Sequence, residues 1–266
     1  VWYTSVTEEH TAVRTAAGLF DVSHMGGVEV RGPHAIEFLD TVTTNYVHWM
    51  EDGDSAYSYL LDIHGNVIDD IMIYRLSREQ FLVVVNAANE EKDWNWLNGV
   101  NEGKVIIDRD RPGVRPASKA ELINLKSADA GERQLRGLAL QGPASKKVLL
   151  SCVGDGPSQT KLNTLRRTRI SEIEIEGYRV LAARTGYTGE KISYELYTHP
   201  DNLRALWKKL IEKGEEYGIK PCGLAARDSL RTEAGLPLYG HELAGTYNIT
   251  PAEAGFAGYV KYNKPF

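Results

Sequence analysis

The first half of the chain contains three short stretches in which apolar residues dominate or alternate with polar ones. Such stretches are typical of β-strands, and a turn-forming run, His64-Gly65-Asn66, separates the first from the second. A helical pattern follows the third stretch and begins after Asn89, a residue type that favours helix starts. The pattern therefore predicts strands at residues 56–62, 67–75 and 80–86, and a helix at residues 90–99.

The second half of the chain repeats this order of elements. A turn signal at Glu176-Gly177 separates two of its strand-like stretches, and a later helical stretch places Leu203, Leu206 and Leu210 on one face. The pattern predicts strands at residues 168–174, 178–185 and 192–198, followed by a helix at residues 201–213.

A short repeat precedes each of these two sets of strands. Residues 27–42, GVEVRGPHAIEFLDTV, and residues 137–152, GLALQGPASKKVLLSC, share a strand, a Gly-Pro pair and a helical pattern at a constant offset of 110 residues. Pro33 and Pro143 would each lie near the first turn of a helix, where a missing N–H costs nothing. We therefore predict an α+β fold made of two related βαβββα units, about 20–110 and about 131–266, with a central cleft that holds a ligand.

Residues 111–135, RPGVRPASKAELINLKSADAGERQL, lie between the two predicted units and are rich in proline, serine, alanine and charge. Loops of this length are uncommon in compact domains unless they serve a function or are mobile. We predict a long loop or lid.

The composition limits the classes of function. A net charge of −5 over 266 residues argues against nucleic-acid binding, which needs a basic face. No apolar run is long enough to span a membrane. The two cysteines, Cys152 and Cys222, are far apart, and the histidines form no metal-like cluster, so we predict no disulfide framework and no metal site. We expect a soluble protein of a reducing compartment, the cytoplasm or, in a eukaryote, the mitochondrial matrix.

Two adjacent carboxylates interrupt the predicted strand at residues 67–75. Because successive side chains of a strand point to opposite faces, Asp69 would join Ile71 and Ile73, whereas Asp70 would join Tyr74. At most one of the two is an ordinary surface acid. From the local pattern alone, Asp70 could also be a charge that protects an edge strand from aggregation, and Asp69 is expected to bind backbone N–H groups at the start of the strand.

The second half offers a further set of polar and aromatic residues. In RTGYTGEKISYELY, two glycines bracket Tyr187 in a tight loop, and the next strand carries Glu195. Together with Tyr74, Asn86 and Asp70 these residues could form a site for a flat, nitrogen-rich ring, since a carboxylate accepts two parallel N–H bonds. The plainer alternatives are a surface acid for Glu195, core packing for both tyrosines, and a capping or turn role for Asn86.

Six motifs in order along the chain resemble those of one family. The runs AVRTAAGLFDVSHMG, GNVIDDIMIY, VVNAANEEKDWNWL, ALQGP, RTGYTGE and PCGLAARDSLRTEAGLPLYGHEL are similar to those of the glycine cleavage system T-protein, the tetrahydrofolate-dependent aminomethyltransferase. The resemblance implies a folate-binding α+β module, with a preceding short segment and a C-terminal β-barrel domain of the family that this chain lacks. It also implies transfer of an aminomethyl group from the lipoyl arm of H-protein to tetrahydrofolate, with release of ammonia.

The matching motifs also imply roles for individual residues. The catalytic acid falls on Asp70, where a fixed carboxylate stabilises positive charge or accepts a proton, and pterin recognition falls on Glu195. An alternative for Arg227 is an ion pair with Asp228 or Glu233. The positions that match the surroundings of the folate are Met25, Tyr57, Tyr74, Asn86, Tyr187, Glu195 and Arg227.

The one-carbon donor is less well specified than folate, because the chain departs from the family pattern in three places. The segment around Tyr247 and Asn248 is extended, Gly258-Tyr259 replaces a usual tryptophan, and residues 111–135 are longer than is usual in the family. Two alternatives to the T-protein reaction therefore stay open. One is a folate-dependent demethylase whose small-molecule donor is a betaine, sulfonium compound, methylamine or aryl ether. The other is a non-catalytic folate-binding accessory protein.

Overall fold

The computed structural model describes residues 1–264, which form two compact units. Unit 1 contains residues 1–24 and 131–236, and unit 2 contains residues 25–130 and the chain from Pro237 onward. The second predicted unit, about 131–266, therefore differs from the structure beyond Leu236. The physical reason is apolar packing: Leu243 and Phe256 pack against Tyr57 and Tyr59 of unit 2.

The fold contains eleven strands and seven α-helices among the described residues. The strands are β1 (Ala17–Asp21), β2 (Gly26–Arg31), β3 (Ser55–Leu61), β4 (Val67–Ser77), β5 (Gln80–Val85), β6 (Glu121–Asn124), β7 (Arg136–Gln141), β8 (Ile170–Ile175), β9 (Tyr178–Ala183), β10 (Ser193–Thr198) and β11 (Ile219–Cys222). The helices are α1 (Val6–Thr15), α2 (Ala35–Val42), α3 (Glu90–Asn101), α4 (Ser145–Ser151), α5 (Pro157–Thr164), α6 (Pro200–Gly214) and α7 (Leu224–Glu233). Short 3-10 turns lie at Val47–Trp49, Ala87–Asn89, Ala128–Arg133 (kinked at Gly131), Glu215–Tyr217, Gly245–Tyr247 and Ala257–Tyr259.

The two units share a strand order. The sheet of unit 2 runs β3-β4-β5-β2-β6, and the sheet of unit 1 runs β8-β9-β10-β7-β1-β11. In each, a strand leads through a helix to three antiparallel strands and a second helix, with α5 as an additional helix in unit 1. The predicted α+β class and the predicted order of strands and helices are confirmed. The common origin of the two units stays a prediction.

The Gly-Pro pairs explain why the repeat is visible in the sequence. Gly32 and Gly142 both adopt left-handed backbone conformations, with φ of 98° and 124°. Each carbonyl accepts a turn hydrogen bond from the residue three positions on, Ala35 at 3.1 Å and Ser145 at 3.0 Å. A side chain at Gly142 would also lie 2.5 Å from the carbonyl oxygen of Val13. Glycine is therefore required where each strand turns into its helix.

Each unit buries one apolar face of its sheet beneath helices. In unit 2 the face that carries Ile71, Ile73 and Val83 packs on α2 and α3 through Phe38 and Leu97. Unit 1 builds its core in the same way from its sheet and α4, α5 and α6, with Leu140, Val180, Leu196, Leu149, Leu162 and Leu206 among the buried residues. The opposite face of the unit 2 sheet carries Asp70.

Residues 111–135 are not one continuous loop. The prediction of a long loop or lid is wrong for residues 121–124, because these residues form β6 and pair with β2, with Leu122 opposite Val30. The following Leu125 is buried. Among residues 1–264, no helix is both long and apolar enough to cross a bilayer.

Candidate active site

The two adjacent carboxylates of β4 lie on opposite faces of the unit 2 sheet. Directly paired residues of antiparallel strands share a face. Asp70 pairs with Tyr59, whereas Asp69 pairs with Leu60, which belongs to the core beneath α2 and α3. The predicted separation of the two carboxylates is therefore confirmed, and Asp69, which is fully buried, is not a surface acid.

Asp70 is held by two hydrogen bonds from neighbouring strands. Tyr57 Oη donates to Asp70 Oδ2 at 2.9 Å, and Asn86 Nδ2 donates to Asp70 Oδ1 at 2.9 Å. Burial, and then the negative charge of Asp69, raises the pKa of Asp70 to about 6, although the hydrogen bonds from Tyr57 and Asn86 oppose this shift. Such a carboxyl group changes its charge close to neutral pH.

Tyr57 remains a hydrogen-bond donor throughout the physiological pH range. Burial and the nearby charge of Asp70 raise the pKa of the Tyr57 phenol far above its usual value, so the hydroxyl keeps its proton. The ring packs edge-on against Tyr59, with centroids 5.2 Å apart, and against Tyr259, with centroids 4.9 Å apart. These contacts fix the position from which the hydroxyl reaches Asp70.

Asn86 connects the two carboxylates. Its backbone N–H donates to Asp69 Oδ2 at 2.9 Å, and its side-chain Nδ2 donates to Asp69 Oδ1 at the same distance. Asn89 also donates to Asp69 Oδ1. Although Asn86 directly precedes the Ala87–Asn89 turn, its side chain makes no capping bond. The expected backbone bond of Asp69 is present, and two carboxamide side chains reinforce it.

Met25 and Asn86 extend the row of residues that contains Asp70. The register pairs Met72 with Val84 and Gly26 with Val85, so Asn86 continues β5 beside Asp70 and Met25 continues β2 beside Asn86. Tyr74 lies on the same face but is fully buried, so its side chain offers no surface to a bound molecule in this structure. The predicted folate contacts of Met25 and Tyr74 stay predictions.

In unit 1, Glu195 rises from β10 between two small residues. Its direct neighbours are Ala139 of β7 and Ala183 of β9, both buried. The half-buried carboxylate accepts a hydrogen bond from Thr185 Oγ1. Because alanines flank it on both sides, no large side chain from the directly paired positions crowds the carboxylate. An acid on a typical surface strand has larger neighbours.

Gln141 anchors the loop that precedes β10 through hydrogen bonds. Gln141 Oε1 accepts hydrogen bonds from Thr188 Oγ1 at 2.9 Å and from the Tyr187 backbone N–H at 3.3 Å. A side chain at Gly186 would lie 2.5 Å from Ser193 Cβ, so only glycine fits there. The loop thereby holds Tyr187, which is neither fully buried nor fully exposed, in one position.

Arg227 of α7 stacks on this tyrosine. Its guanidinium carbon lies 4.4 Å from the centre of the Tyr187 ring, a cation–π distance. The ion-pair partners considered for Arg227 are engaged with other arginines. Asp228 pairs with Arg231 at 2.7 Å, and Glu233 pairs with Arg14 at 2.9 Å.

The structure thus brings the predicted site residues together in two sets. Tyr57, Asp70 and Asn86 are joined by hydrogen bonds in unit 2. Tyr187 and Arg227 are in contact in unit 1, where Glu195 accepts a hydrogen bond from Thr185 of the loop that carries Tyr187. Their folate-binding roles and the predicted central cleft stay predictions. Four supporting residues were not predicted for the site, which are Gln141, Thr185, Asn89 and Tyr259. Gln141 could have been found from its position in the ALQGP motif, whereas Tyr259 was noted only as replacing, with Gly258, a usual tryptophan.

Comparison with known proteins gives a consistent result. Residues 1–264 match the family model described as the GCVT N-terminal domain. Proteins named aminomethyltransferase are similar over 264 residues, or 99% of this chain. The one from Thermoanaerobacter pseudethanolicus is 41% identical and the one from Halalkalibacterium halodurans is 44% identical. The chain spans 64% and 65% of the length of these two relatives.

Solved structures agree with this match. The crystal structure of glycine cleavage system aminomethyltransferase T from Bartonella henselae superimposes with a TM-score of 0.77 at 32% identity, covering 97% of this chain and 62% of that one. A heterotetrameric sarcosine oxidase from Corynebacterium sp. U-96 shares the fold alone, with a TM-score of 0.51 at 16% identity over 80% of this chain and 92% of that one. On the match over residues 1–264, the chain belongs to the GCVT N-terminal domain family.

Proposed function

We propose that this chain is the folate-binding and catalytic module of an aminomethyltransferase of the glycine cleavage system. In the proposed reaction, aminomethyl-lipoyl H-protein and tetrahydrofolate give methylene-tetrahydrofolate, ammonia and dihydrolipoyl H-protein. The relatives that carry the name aminomethyltransferase support this assignment, as does the match to the Bartonella henselae structure. The partner is the lipoylated H-protein, and the site of action is the cytoplasm or, in a eukaryote, the mitochondrial matrix.

The observation that carries the proposal is the state of Asp70. The partly buried Asp70 carboxylate, with a pKa raised to about 6, is ionised at neutral pH, and Tyr57 and Asn86 fix both of its oxygens. The transferred one-carbon unit is electron-poor, so a preorganised negative charge stabilises the positive charge that develops during transfer. The same carboxylate is basic enough to accept a proton near neutral pH.

The residues of unit 1 fit the recognition of a pterin ring. Glu195 offers a carboxylate that accepts two parallel N–H bonds from an aminopyrimidinone edge, and the alanines beside it leave room for a flat ring. Tyr187 and Arg227 add an aromatic and a cationic surface held in place by the Gln141-anchored loop. When bound, tetrahydrofolate supplies the nitrogen atoms that receive the one-carbon unit.

The proposal is tested first by binding. A ligand that binds only the native state stabilises it by mass action, so saturating tetrahydrofolate should raise the Tm of the full-length protein. The matched control is Glu195→Gln, which should show a smaller shift at the same ligand concentration. Absence of a shift in the unmodified protein would contradict the folate site.

The donor is tested by a screen that follows methylene- and methyl-tetrahydrofolate separately. Aminomethyl-lipoyl H-protein, a betaine, a sulfonium compound, sarcosine and an aryl ether are supplied in turn with tetrahydrofolate. We expect methylene-tetrahydrofolate and ammonia with the H-protein donor only. Turnover with a small donor instead would identify a demethylase, and folate binding with no turnover from any donor would identify a non-catalytic folate-binding protein.

A further inference from the structure

A third carboxyl group lies beneath the two of β4. Asp93, in the first turn of α3, is fully buried. Among the described residues, no amide, hydroxyl, ammonium or guanidinium group donates to either of its oxygens. The carboxyl group that acts on it is Asp69, to which Asn89, four residues earlier in the chain, also donates a hydrogen bond. Buried polar atoms are rarely left without a donor or acceptor, so this pair needs an explanation.

Two carboxyl groups form a hydrogen bond only when one of them carries a proton. Asp69 already accepts three hydrogen bonds, two from Asn86 and one from Asn89. Asp93 accepts none from these groups, so the shared proton belongs on Asp93. Burial, followed by the effect of the neighbouring Asp69, raises the pKa of Asp93 far above its usual value.

The charged groups around this pair have the net effect of keeping the proton on Asp93. Asp69 and Asp70 of β4 both raise the pKa of Asp93, and Lys92 of the same helix opposes them. The opposing charge is weaker than the burial of Asp93 and the influence of Asp69, which are the two largest causes of the shift. Asp93 therefore keeps its proton at neutral pH.

We propose that Asp93 is a positioning residue that stays protonated, donates a hydrogen bond to Asp69, and through Asn86 fixes the orientation of Asp70. The links beyond Asp69 are hydrogen bonds in the structure: Asp69 accepts from Asn86 at 2.9 Å, and Asn86 donates to Asp70 at 2.9 Å. The effect on transfer rests on the proposed function, because it acts through Asp70. The protonation of Asp93 does not.

The first experiment measures the proton directly. The full-length protein is labelled with ¹³C at the aspartate carboxyl carbons, and spectra are recorded from pH 5 to pH 8 without folate or donor. The signal that disappears in Asp93→Asn belongs to Asp93. We expect its chemical shift to be that of a protonated acid and to stay constant over this range. A signal that titrates within the range, or that is already ionised at pH 5, would overturn the proposal.

The second experiment compares two variants. Asp93→Asn keeps the shape of the side chain and an N–H donor for Asp69. It should therefore preserve the slow exchange of the Asn86 side-chain N–H protons. It should also preserve the acidic limb of the plot of kcat/KM against pH, which is expected to report Asp70. Asp93→Ala removes the donor. This variant should lose the protection of the Asn86 protons. Its turnover should fall about tenfold to a hundredfold, as removal of orienting neighbours of a functional group does. The acidic limb should shift to higher pH, because Asn86 then stabilises ionised Asp70 less well.

The outcomes separate this inference from the proposed function. If Asp93→Asn and Asp93→Ala lose Asn86 protection equally, the donor role of Asp93 is wrong. If the unmodified protein binds no folate and turns over no donor, the proposed function fails, yet the carboxyl spectra and the Asn86 exchange rates still decide the role of Asp93. Should Asp93→Ala fail to fold, the spectra of the unmodified protein and the behaviour of Asp93→Asn remain decisive.

Discussion

The Asn86 carboxamide donates a 2.9 Å hydrogen bond to Asp70 Oδ1 from the end of the neighbouring strand β5. The same nitrogen also donates to Asp69, so one amide is shared by two carboxylates that point to opposite faces of the sheet. Through Asn86, the position of the buried Asp69 therefore influences the position of Asp70 on the other face. Because the two carboxylates lie on opposite faces, substitutions of Asp69 and Asp70 change different surroundings.

Asp70→Asn should separate binding from chemistry. Asparagine is nearly isosteric with aspartate but lacks the charge that is proposed to stabilise the transferred group. Loss of one preorganised electrostatic contact lowers kcat about 10²–10³-fold. We therefore expect that loss in turnover with the true donor, while the Kd for tetrahydrofolate, measured by titration calorimetry, changes less than about tenfold.

Asp69→Asn should lower stability, and it should lower turnover no further than the loss of Asn86 orientation does in Asp93→Ala. Asp69 is fully buried and accepts three N–H donors, and an amide would place its own N–H groups against some of them. We expect the free energy of unfolding, measured by urea denaturation, to fall by about 1.5–3 kcal/mol, the scale of a hydrogen bond to a charged group. Loss of turnover in Asp69→Asn but not in Asp70→Asn would show that Asp69 is the catalytic carboxylate.

The pH dependence of the reaction should report Asp70. If the ionised form is required, kcat/KM should fall below an apparent pKa of about 6. Because folding raises this pKa above its usual value, the folded state binds more protons than the unfolded chain between about pH 4 and 6. Asp70 therefore makes the free energy of unfolding decrease as pH rises through that window. Denaturation of Asp70→Asn should lack this contribution, and an identical slope would contradict the shift.

Tyr57→Phe should change the titration of Asp70 without removing its charge. The substitution deletes the 2.9 Å hydrogen bond to Asp70 Oδ2 and keeps the ring that packs against Tyr59 and Tyr259. A lost bond to a charged group should raise the pKa of the acidic limb in kcat/KM by about one to two units. Tyr46→Phe in the same unit is the control and should leave the limb in place. An unshifted limb in Tyr57→Phe would argue that the bond does not stabilise ionised Asp70.

Glu195→Gln tests ring recognition in unit 1. Glutamine keeps the length of the side chain but presents an N–H group where a second acceptor is proposed to meet the ring. The affinity for tetrahydrofolate should fall by about 1.5–3 kcal/mol, measured by calorimetry. The control is Glu174→Gln, an exposed acid of β8 in the same sheet, which should bind folate normally. Equal affinities of the two variants for tetrahydrofolate would show that Glu195 is an ordinary surface acid.

The sequence by itself determined the elements and their order. Predicted strands at 67–75 and 80–86 are observed as Val67–Ser77 and Gln80–Val85, because apolar periodicity and turn residues act locally. The opposite faces of Asp69 and Asp70 likewise follow from the period of two in any strand. The short strand at Glu121–Asn124 was missed, since its pairing with β2 is non-local and its own composition resembles a loop.

Only the tertiary structure decided what surrounds each carboxylate. The alanines beside Glu195 come from β7 and β9, and no local pattern places residues 139 and 183 on either side of residue 195. The carboxyl pair of Asp93 and Asp69 joins a helix to a strand 24 residues away, and local composition shows Asp93 only as one of several acids that favour a helix start. Its pKa depends on burial and on the charges brought near it, and both quantities exist only once the chain has folded.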